Sequence, residues 1–219
     1  KCIACPAMTS ALEAAEKSYP DRMVEIAVHH SLMGSDPMIP EELNVFTDYF
    51  PVITALPWTY YDMDLSVYSY GAESASAILG KVKPLARSIA GVGIAADAEA
   101  DGSDIKVNVN VTASAANEYY LAVLLLENGI IYPQTGGNDN YVHNHTYRAT
   151  LSESIFGDSL GAMTVGQTVS KEYSITANAE YEIDNCSIVC YVCTKSGDVW
   201  SVSNVVSFPV GSWADVTFE

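Results

Sequence analysis

The first ninety residues alternate between helical and extended patterns of apolar side chains. A helix is predicted from Pro6 to its end at Pro20–Asp21, because apolar residues recur at helical spacing: Met8, Leu12, Ala15 and Tyr19. The next segment, 23–31, carries apolar side chains on both faces, as a central strand of a parallel sheet does. A helix followed by such a strand predicts an α/β domain, which we assign to residues 1–92.

Two more helices and one strand complete this predicted domain. Pro40 opens a second helix, and its apolar side consists of Leu43, Phe46 and Phe50. A strand is expected over residues 58–70. A third helix begins near Glu73, with Pro84 expected to kink it and with these residues facing inward: Ile78, Leu79, Val82, Leu85 and Ile89.

After Gly93 the apolar pattern changes to a period of two. The first clear strand has apolar residues at every second position: Ile105, Val107, Val109 and Val111. Further strands are expected around 118–127, 141–151, 171–178, 186–194 and 199–208. Short strands separated by turn signals predict an all-β antiparallel immunoglobulin-like sandwich over residues 93–219.

Composition narrows the partners that this chain can have. Apolar residues make up 49% and charged residues 17%, which is typical of a folded globular chain. The formal net charge of -17 argues against binding to nucleic acid or to an anionic lipid surface, since both require basic side chains. No apolar run approaches the roughly 20 residues of a membrane-spanning helix.

A CxxC motif, Cys2-Ile3-Ala4-Cys5, lies directly before the first predicted helix. The positive end of the helix dipole stabilises a thiolate, so the pKa of a cysteine there is lowered. We expect Cys2 to be an exposed nucleophile and Cys5 to resolve the mixed disulfide that Cys2 forms. The motif also fits a structural disulfide without turnover.

Metal binding is a weaker interpretation of the cysteines and histidines. Cys190 and Cys193 have the spacing of a second zinc pair, but in a strand their side chains point to opposite faces. Together with Cys186 they are expected to be small core residues. His143 and His145 could bind a metal with Asp139, although pairing across strands is favoured, and we expect neither metal nor cofactor.

Two histidines end the predicted strand at 23–31. His29 and His30 could influence Cys2, because functional groups often lie at the carboxyl ends of strands in α/β sheets. Such residues also often serve only to solvate the end of a strand.

Four segments together resemble the outer membrane protein twenty-eight related family of Gram-negative bacteria. They are KCIACP at 1–6, VEIAVHH at 24–30, DPMIPEELNVFTDYFPVITALP at 36–57 and YVHNHTYRA at 141–149. The resemblance implies a secreted protein or envelope lipoprotein with a thioredoxin-like domain and a β-rich C-terminal region. It also implies an extracytoplasmic location, in the periplasm, at the outer membrane or on the cell surface.

The resemblance assigns roles to individual residues. Cys2 and Cys5 become the redox pair, and Pro57 becomes a cis-proline whose neighbours Leu56 and Trp58 contact an extended substrate. An ordinary trans proline at the start of a strand is the alternative. The family pattern has small residues where Trp58 stands. The first strand of the thioredoxin-like domain, and a lipid anchor for membrane association, are expected to precede Lys1.

Two functions of different classes follow. The first is a thiol–disulfide oxidoreductase that acts on protein or peptide thiols and disulfides through Cys2 and Cys5. The second is a non-catalytic surface protein for binding or adhesion, in which Cys2 and Cys5 form a structural bond, because a fold can persist without its chemistry.

Overall fold

The computed structural model describes residues 1–20, 22–51 and 55–217. Asp21, predicted to help end the first helix, and residues 52–54 of the segment before Pro57 lie outside this part. The described helices are α1 (Cys5–Glu16), α2 (Asn44–Thr47) and α3 (Ala75–Leu85), with 3₁₀ turns at Ser31–Met33 and Ile183–Asn185.

The strands of the described chain are short in its first part and long in its second. They are β1 (Trp58–Tyr61), β2 (Asp64–Tyr70), β3 (Val92–Asp101), β4 (Asp104–Ala113), β5 (Asn117–Glu127), β6 (Ile130–Ile131), β7 (Val142–His143), β8 (Thr146–Thr150), β9 (Asp158–Met163), β10 (Thr168–Thr176), β11 (Cys186–Ser196), β12 (Val199–Pro209) and β13 (Trp213–Val216).

The chain folds into two compact units that are not consecutive in sequence. The first unit contains Lys1–Ser88 together with Gly129–Thr146, and the second contains Ile89–Asn128 and Tyr147–Glu219. This differs from the two consecutive domains expected at 1–92 and 93–219. The difference arises because β6 and β7 form a two-stranded hairpin that belongs to the first unit, separate from the sheets of the second among the described strands.

Helices α1 and α3 build the core of the first unit. Apolar residues spaced along both helices pack around the ring of Tyr61: Met8, Ala11, Leu12, Ala15, Ile78 and Val82. Pro84 lies in the last turn of α3, and the helix ends one residue later. Ile89 therefore lies beyond the helix and is 86% exposed, so the prediction that it faces inward is wrong.

Two predicted strands of the first unit take a different form. The segment expected at 58–70 is an antiparallel hairpin, because Asp62 and Met63 adopt positive φ angles of 54° and 61° and reverse the chain. The expected central strand at 23–31 is reduced to one parallel bridge between Ala27 and Thr146. The backbone N–H of Ala27 donates to the carbonyl oxygen of His145 at 2.8 Å beside this bridge.

Two antiparallel sheets form the second unit. One has the order β10-β4-β3-β13, and the other has the order β12-β11-β5-β8, with β9 also paired to β5. Inward residues of both sheets contribute to one apolar core, so this unit is a β-sandwich. The predicted alternation of β4 is confirmed, since its apolar residues are at most 1% exposed: Ile105, Val107, Val109 and Val111.

The described part of the chain is β-rich, with mostly antiparallel sheets and few helices. Among the described residues, no helix has the length and apolar character needed to cross a membrane.

Candidate functional site

Cys2 and Cys5 form a disulfide at the start of α1. Their Sγ atoms are 2.08 Å apart and their Cα atoms 5.4 Å apart. Cys5 is the first residue of the helix, and Pro6 follows in the first turn, where its missing N–H breaks no hydrogen bond. The positive end of the helix dipole lies at this disulfide and favours a thiolate when the bond opens.

Solvent reaches the two cysteines unequally. Cys2 is only 6% exposed and Cys5 is partly exposed, whereas Ile3 between them is 72% exposed. The expectation that Cys2 is exposed is therefore wrong for this oxidised form. In this oxidised form Ile3 therefore faces solvent, whereas Cys2 is buried.

A turn from much later in the chain lies against the disulfide loop. The amide Nε2 of Gln134 donates a hydrogen bond to the carbonyl oxygen of Cys2 at 2.7 Å. Gly136 approaches the backbone of Ile3 so closely that a β-carbon there would overlap the Ile3 carbonyl oxygen and lie 3.0 Å from its carbonyl carbon. We call residues 134–138 the cover turn. Neither Gln134 nor Gly136 was predicted from the sequence. The glycine pair Gly136–Gly137 was the signal in the sequence that could have indicated this turn.

The bond between Leu56 and Pro57 is cis, as the resemblance implied. Pro57 is buried, and its carbonyl oxygen accepts a hydrogen bond from the backbone N–H of Gly71 at 2.9 Å, at the base of the β1–β2 hairpin. Trp58 begins β1 opposite Tyr70. The catalytic role of Pro57 and the substrate contacts of Leu56 and Trp58 stay predictions.

The ring of Trp58 is held within a group of aromatic side chains on the hairpin. It lies 4.7 Å from the ring of Tyr70 and 5.3 Å from that of Tyr68, and it stacks on Tyr60 at 6.0 Å with an interplanar angle of 13°. Tyr68 and Tyr70 are 44% and 48% exposed. The residue after Pro57 is thus part of a broad aromatic surface.

Comparison with known protein families shows which family the chain belongs to. The family described as outer membrane protein Omp28 matches residues 53–213. The chain belongs to the Omp28 family. The resemblance seen in the sequence is confirmed, and membership of this outer membrane protein family also confirms an extracytoplasmic location associated with the outer membrane. No curated protein matches the chain in sequence.

Two solved structures are similar to this Omp28 family member. HBP35 of Porphyromonas gingivalis superimposes on 95% of this chain and 70% of its own, with a TM-score of 0.76 and 16% identity, a likeness that concerns the fold alone. A domain of the outer membrane lipoprotein Omp28 from the same organism matches 56% of this chain and 90% of its own, with 21% identity and a TM-score of 0.40.

The histidines of the Omp28 family member are grouped differently from the prediction. His143 contacts the ring of His29, with centroids 5.2 Å apart, and His29 Nδ1 lies 3.2 Å from a carboxylate oxygen of Asp36. Burial and the neighbouring His29 lower the pKa of His143. His145 adopts a positive φ of 55° and lines a surface groove with Glu13 and other residues. His143 and His145 were expected on one strand face and to pair across strands. His143 does lie in β7, opposite Ile130 of β6, whereas His145 lies outside β7.

A carboxyl group that the sequence analysis did not select lies in the first unit. The Oε2 atom of Glu25 is buried without a hydrogen-bond partner. Burial, followed by repulsion from Glu16 and Glu13, raises its pKa to about 8. Glu25 therefore keeps its proton at neutral pH. Its signal in the sequence was a charged residue within the otherwise apolar segment 23–28.

The other three cysteines are buried in β11, as predicted. Cys186 is 2% exposed, and Cys190 and Cys193 are fully buried. Burial raises the pKa of Cys186 to about 12 and also raises the pKa of Cys190, so neither thiol is reactive at neutral pH. In the described part of the chain, no group of three or more histidine, cysteine or acidic residues is arranged to hold a metal ion.

Proposed function

We propose that the first unit is a thioredoxin-like domain that exchanges thiols and disulfides with proteins or peptides at the outer membrane. The observation that carries the proposal is the Cys2–Cys5 disulfide at the first turn of a 12-residue helix. A dithiol at this position can form a disulfide with itself, and the helix dipole favours its thiolate form.

The reaction needs only the two cysteines and the substrate. The Cys2 thiolate attacks one sulfur of a substrate disulfide, so a Cys2–substrate bond forms and the other substrate sulfur leaves as a thiolate. The Cys5 thiolate then attacks the Cys2 sulfur, which restores the Cys2–Cys5 bond and releases the second substrate thiol. The substrate is reduced by two electrons and the dithiol is oxidised, and the reverse sequence oxidises a substrate dithiol.

The order of elements in the first unit supports a thioredoxin-like fold. Helix α1 is followed by an extended segment with a parallel bridge at Ala27, then by the cis bond before Pro57, the antiparallel β1–β2 hairpin and α3. In the proposed reaction, the backbone before Pro57 pairs with an extended substrate segment, which Leu56 and Trp58 contact.

Strand order supports an immunoglobulin-like topology for the second unit. If β3, β4 and β5 are strands A, B and C, and β10, β11 and β12 are strands E, F and G, then A, B and E share one sheet and C, F and G share the other. In the proposed arrangement this unit supports or targets the exchange domain.

Exchange with a model peptide disulfide tests the proposal. The reduced protein should react faster than free dithiothreitol at equal thiol concentration, and Cys2→Ala should abolish the reaction. The double variant Cys190→Ala with Cys193→Ala is the matched control and should keep the full rate, because those thiols are buried. A wild-type rate no higher than that of the free thiol would exclude catalysis.

The second candidate is a non-catalytic surface protein with a structural Cys2–Cys5 bond. The observation that favours it is the burial of Cys2, whose carbonyl oxygen accepts a hydrogen bond from Gln134 of the cover turn. On this account, reduction of the disulfide destabilises the first unit and produces no exchange with peptides.

A further inference from the structure

The cover turn is connected to a well-anchored base. At the base of the Gly129–Thr146 hairpin, the backbone N–H of Ala27 donates to the carbonyl oxygen of His145 at 2.8 Å, and His29 contacts His143. At the tip, Gln134 donates a hydrogen bond to Cys2 and Gly136 approaches the backbone of Ile3. Loss of these tip contacts would leave the paired base at Ala27 and His145 intact.

Access to a sulfur decides the course of thiol–disulfide exchange. A thiolate must reach one sulfur of the disulfide, and the other sulfur then leaves. With the cover turn in place Cys2 is 6% exposed, and Cys5 is the more accessible of the pair. Because Gln134 of the cover turn holds the carbonyl oxygen of this buried cysteine, we expect attack on Cys2 to require the cover turn to move away from the disulfide loop.

We propose that Gln134 and Gly136 determine which sulfur of the Cys2–Cys5 disulfide an incoming thiol can attack. With the cover turn closed, a thiolate attacks Cys5, a bond to Cys5 forms and Cys2 leaves as the thiolate. With the cover turn withdrawn, the same thiolate attacks Cys2, and Cys5 leaves. This inference rests on the proposed exchange function and adds a selection of substrates by size, because a bulky thiol needs the open form more than a small one.

The test is the position of the mixed disulfide formed with glutathione. The oxidised full chain is mixed with glutathione, quenched with acid after short times, alkylated and mapped by mass spectrometry. In the wild type we expect the adduct mainly on Cys5. Gln134→Ala removes the hydrogen bond to Cys2 and should raise the fraction of adduct on Cys2 about fivefold. Gly136→Ala forces the tip away from Ile3 and should raise it by about tenfold or more.

Matched positions in the second unit provide the controls. Gly166 has a φ of +81°, close to the +84° of Gly136, but a β-carbon there would meet no atom within 4 Å. Gln167 accepts a hydrogen bond from the backbone N–H of Thr164 in a turn. Gly166→Ala and Gln167→Ala should leave the position of the adduct unchanged.

Reaction with thiols of different size gives a second readout. Gln134→Ala should accelerate reduction by glutathione more than reduction by 2-mercaptoethanol. An adduct mainly on Cys2 in the wild type, or an equal distribution in wild type and Gln134→Ala, would overturn the proposal. So would an equal change in the Gly166→Ala control. These outcomes concern small thiols, so they are independent of whether the protein catalyses exchange with peptides.

Discussion

In the second unit two antiparallel sheets share one apolar core, whereas the first unit combines a small helical core with a disulfide and a hairpin that returns from later in the chain. The two units also differ in how their buried charged and titratable side chains are paired. The strong ion pair of the second unit is buried, but in the first unit Glu25 keeps a proton and His143 contacts another histidine. The first unit therefore holds the candidate redox disulfide and a protonated carboxyl group, whereas the second holds a paired carboxylate and the buried thiol of Cys186.

The largest expected change in stability comes from breaking an ion pair in each of the two units. Arg148 Nε donates to Glu127 at 2.7 Å, and the two side chains are 11% and 4% exposed. Arg148→Met should lower the free energy of unfolding by about 3–5 kcal/mol, because it leaves a buried carboxylate without its charged partner. Lys81→Met breaks the more exposed pair with Glu73 in the first unit and should cost about 1 kcal/mol or less. Urea denaturation measures both, and equal losses would contradict the comparison.

The first unit should become less stable as the pH rises, because the buried carboxyl group of Glu25 is stable only while it holds a proton. The folded protein holds this proton up to about pH 8, whereas an ordinary glutamate releases it near 4.5. Between these values the folded state binds more protons than the unfolded state, so the free energy of unfolding falls with rising pH. Relative to Glu25→Gln, the wild type should lose about 2–3 kcal/mol between pH 5 and pH 8. Urea denaturation at several pH values, with the exposed Glu41→Gln as control, measures this, and parallel curves for wild type and Glu25→Gln would refute it.

Removal of the disulfide should affect the first unit selectively. The Cys2–Cys5 bond closes a very short loop, so the double variant Cys2→Ala and Cys5→Ala should cost about 2 kcal/mol. Hydrogen exchange should show the lost protection in α1 and unchanged protection in β5 and β11. Equal losses in both units would mean that the disulfide stabilises the chain as a whole.

The smallest expected effect is that of Ile89→Ala, which tests where α3 ends, with Ile78→Ala as its buried counterpart. Ile78 is fully buried, and Ile78→Ala should cost about 2–4 kcal/mol, whereas Ile89 is 86% exposed and Ile89→Ala should change stability by less than about 0.5 kcal/mol. Thermal denaturation of the two variants separates them. A large loss of stability in Ile89→Ala would instead support the longer helix that the apolar spacing predicts.

The contrast between the units also explains which elements the sequence predicts well. The alternation of Ile105, Val107 and Val109 survives in the structure because one face of β4 is buried along its whole length. The Asp62–Met63 turn was missed because neither residue is a glycine or an asparagine, the usual residues at positive φ. The hairpin at Gly129–Thr146 was assigned to the sandwich because its packing in the first unit depends on distant contacts.

The residues of the candidate site also divide into those that the sequence predicts and those that it does not. Cys2, Cys5 and Pro57 could be selected from local motifs, since the first two precede a helix and the third precedes a strand. Gln134 and Glu25 could not, because the hydrogen bond of one and the burial of the other arise only in the folded chain.

The reduction potential of the Cys2–Cys5 pair tests the exchange function most directly. The protein is equilibrated with glutathione buffers, quenched, unfolded and alkylated, and the mass shows three labels when the pair is oxidised and five when it is reduced. The account predicts a potential between about -120 and -270 mV, the range of known exchange proteins. A value well below about -300 mV would mark a structural bond and contradict the proposed function.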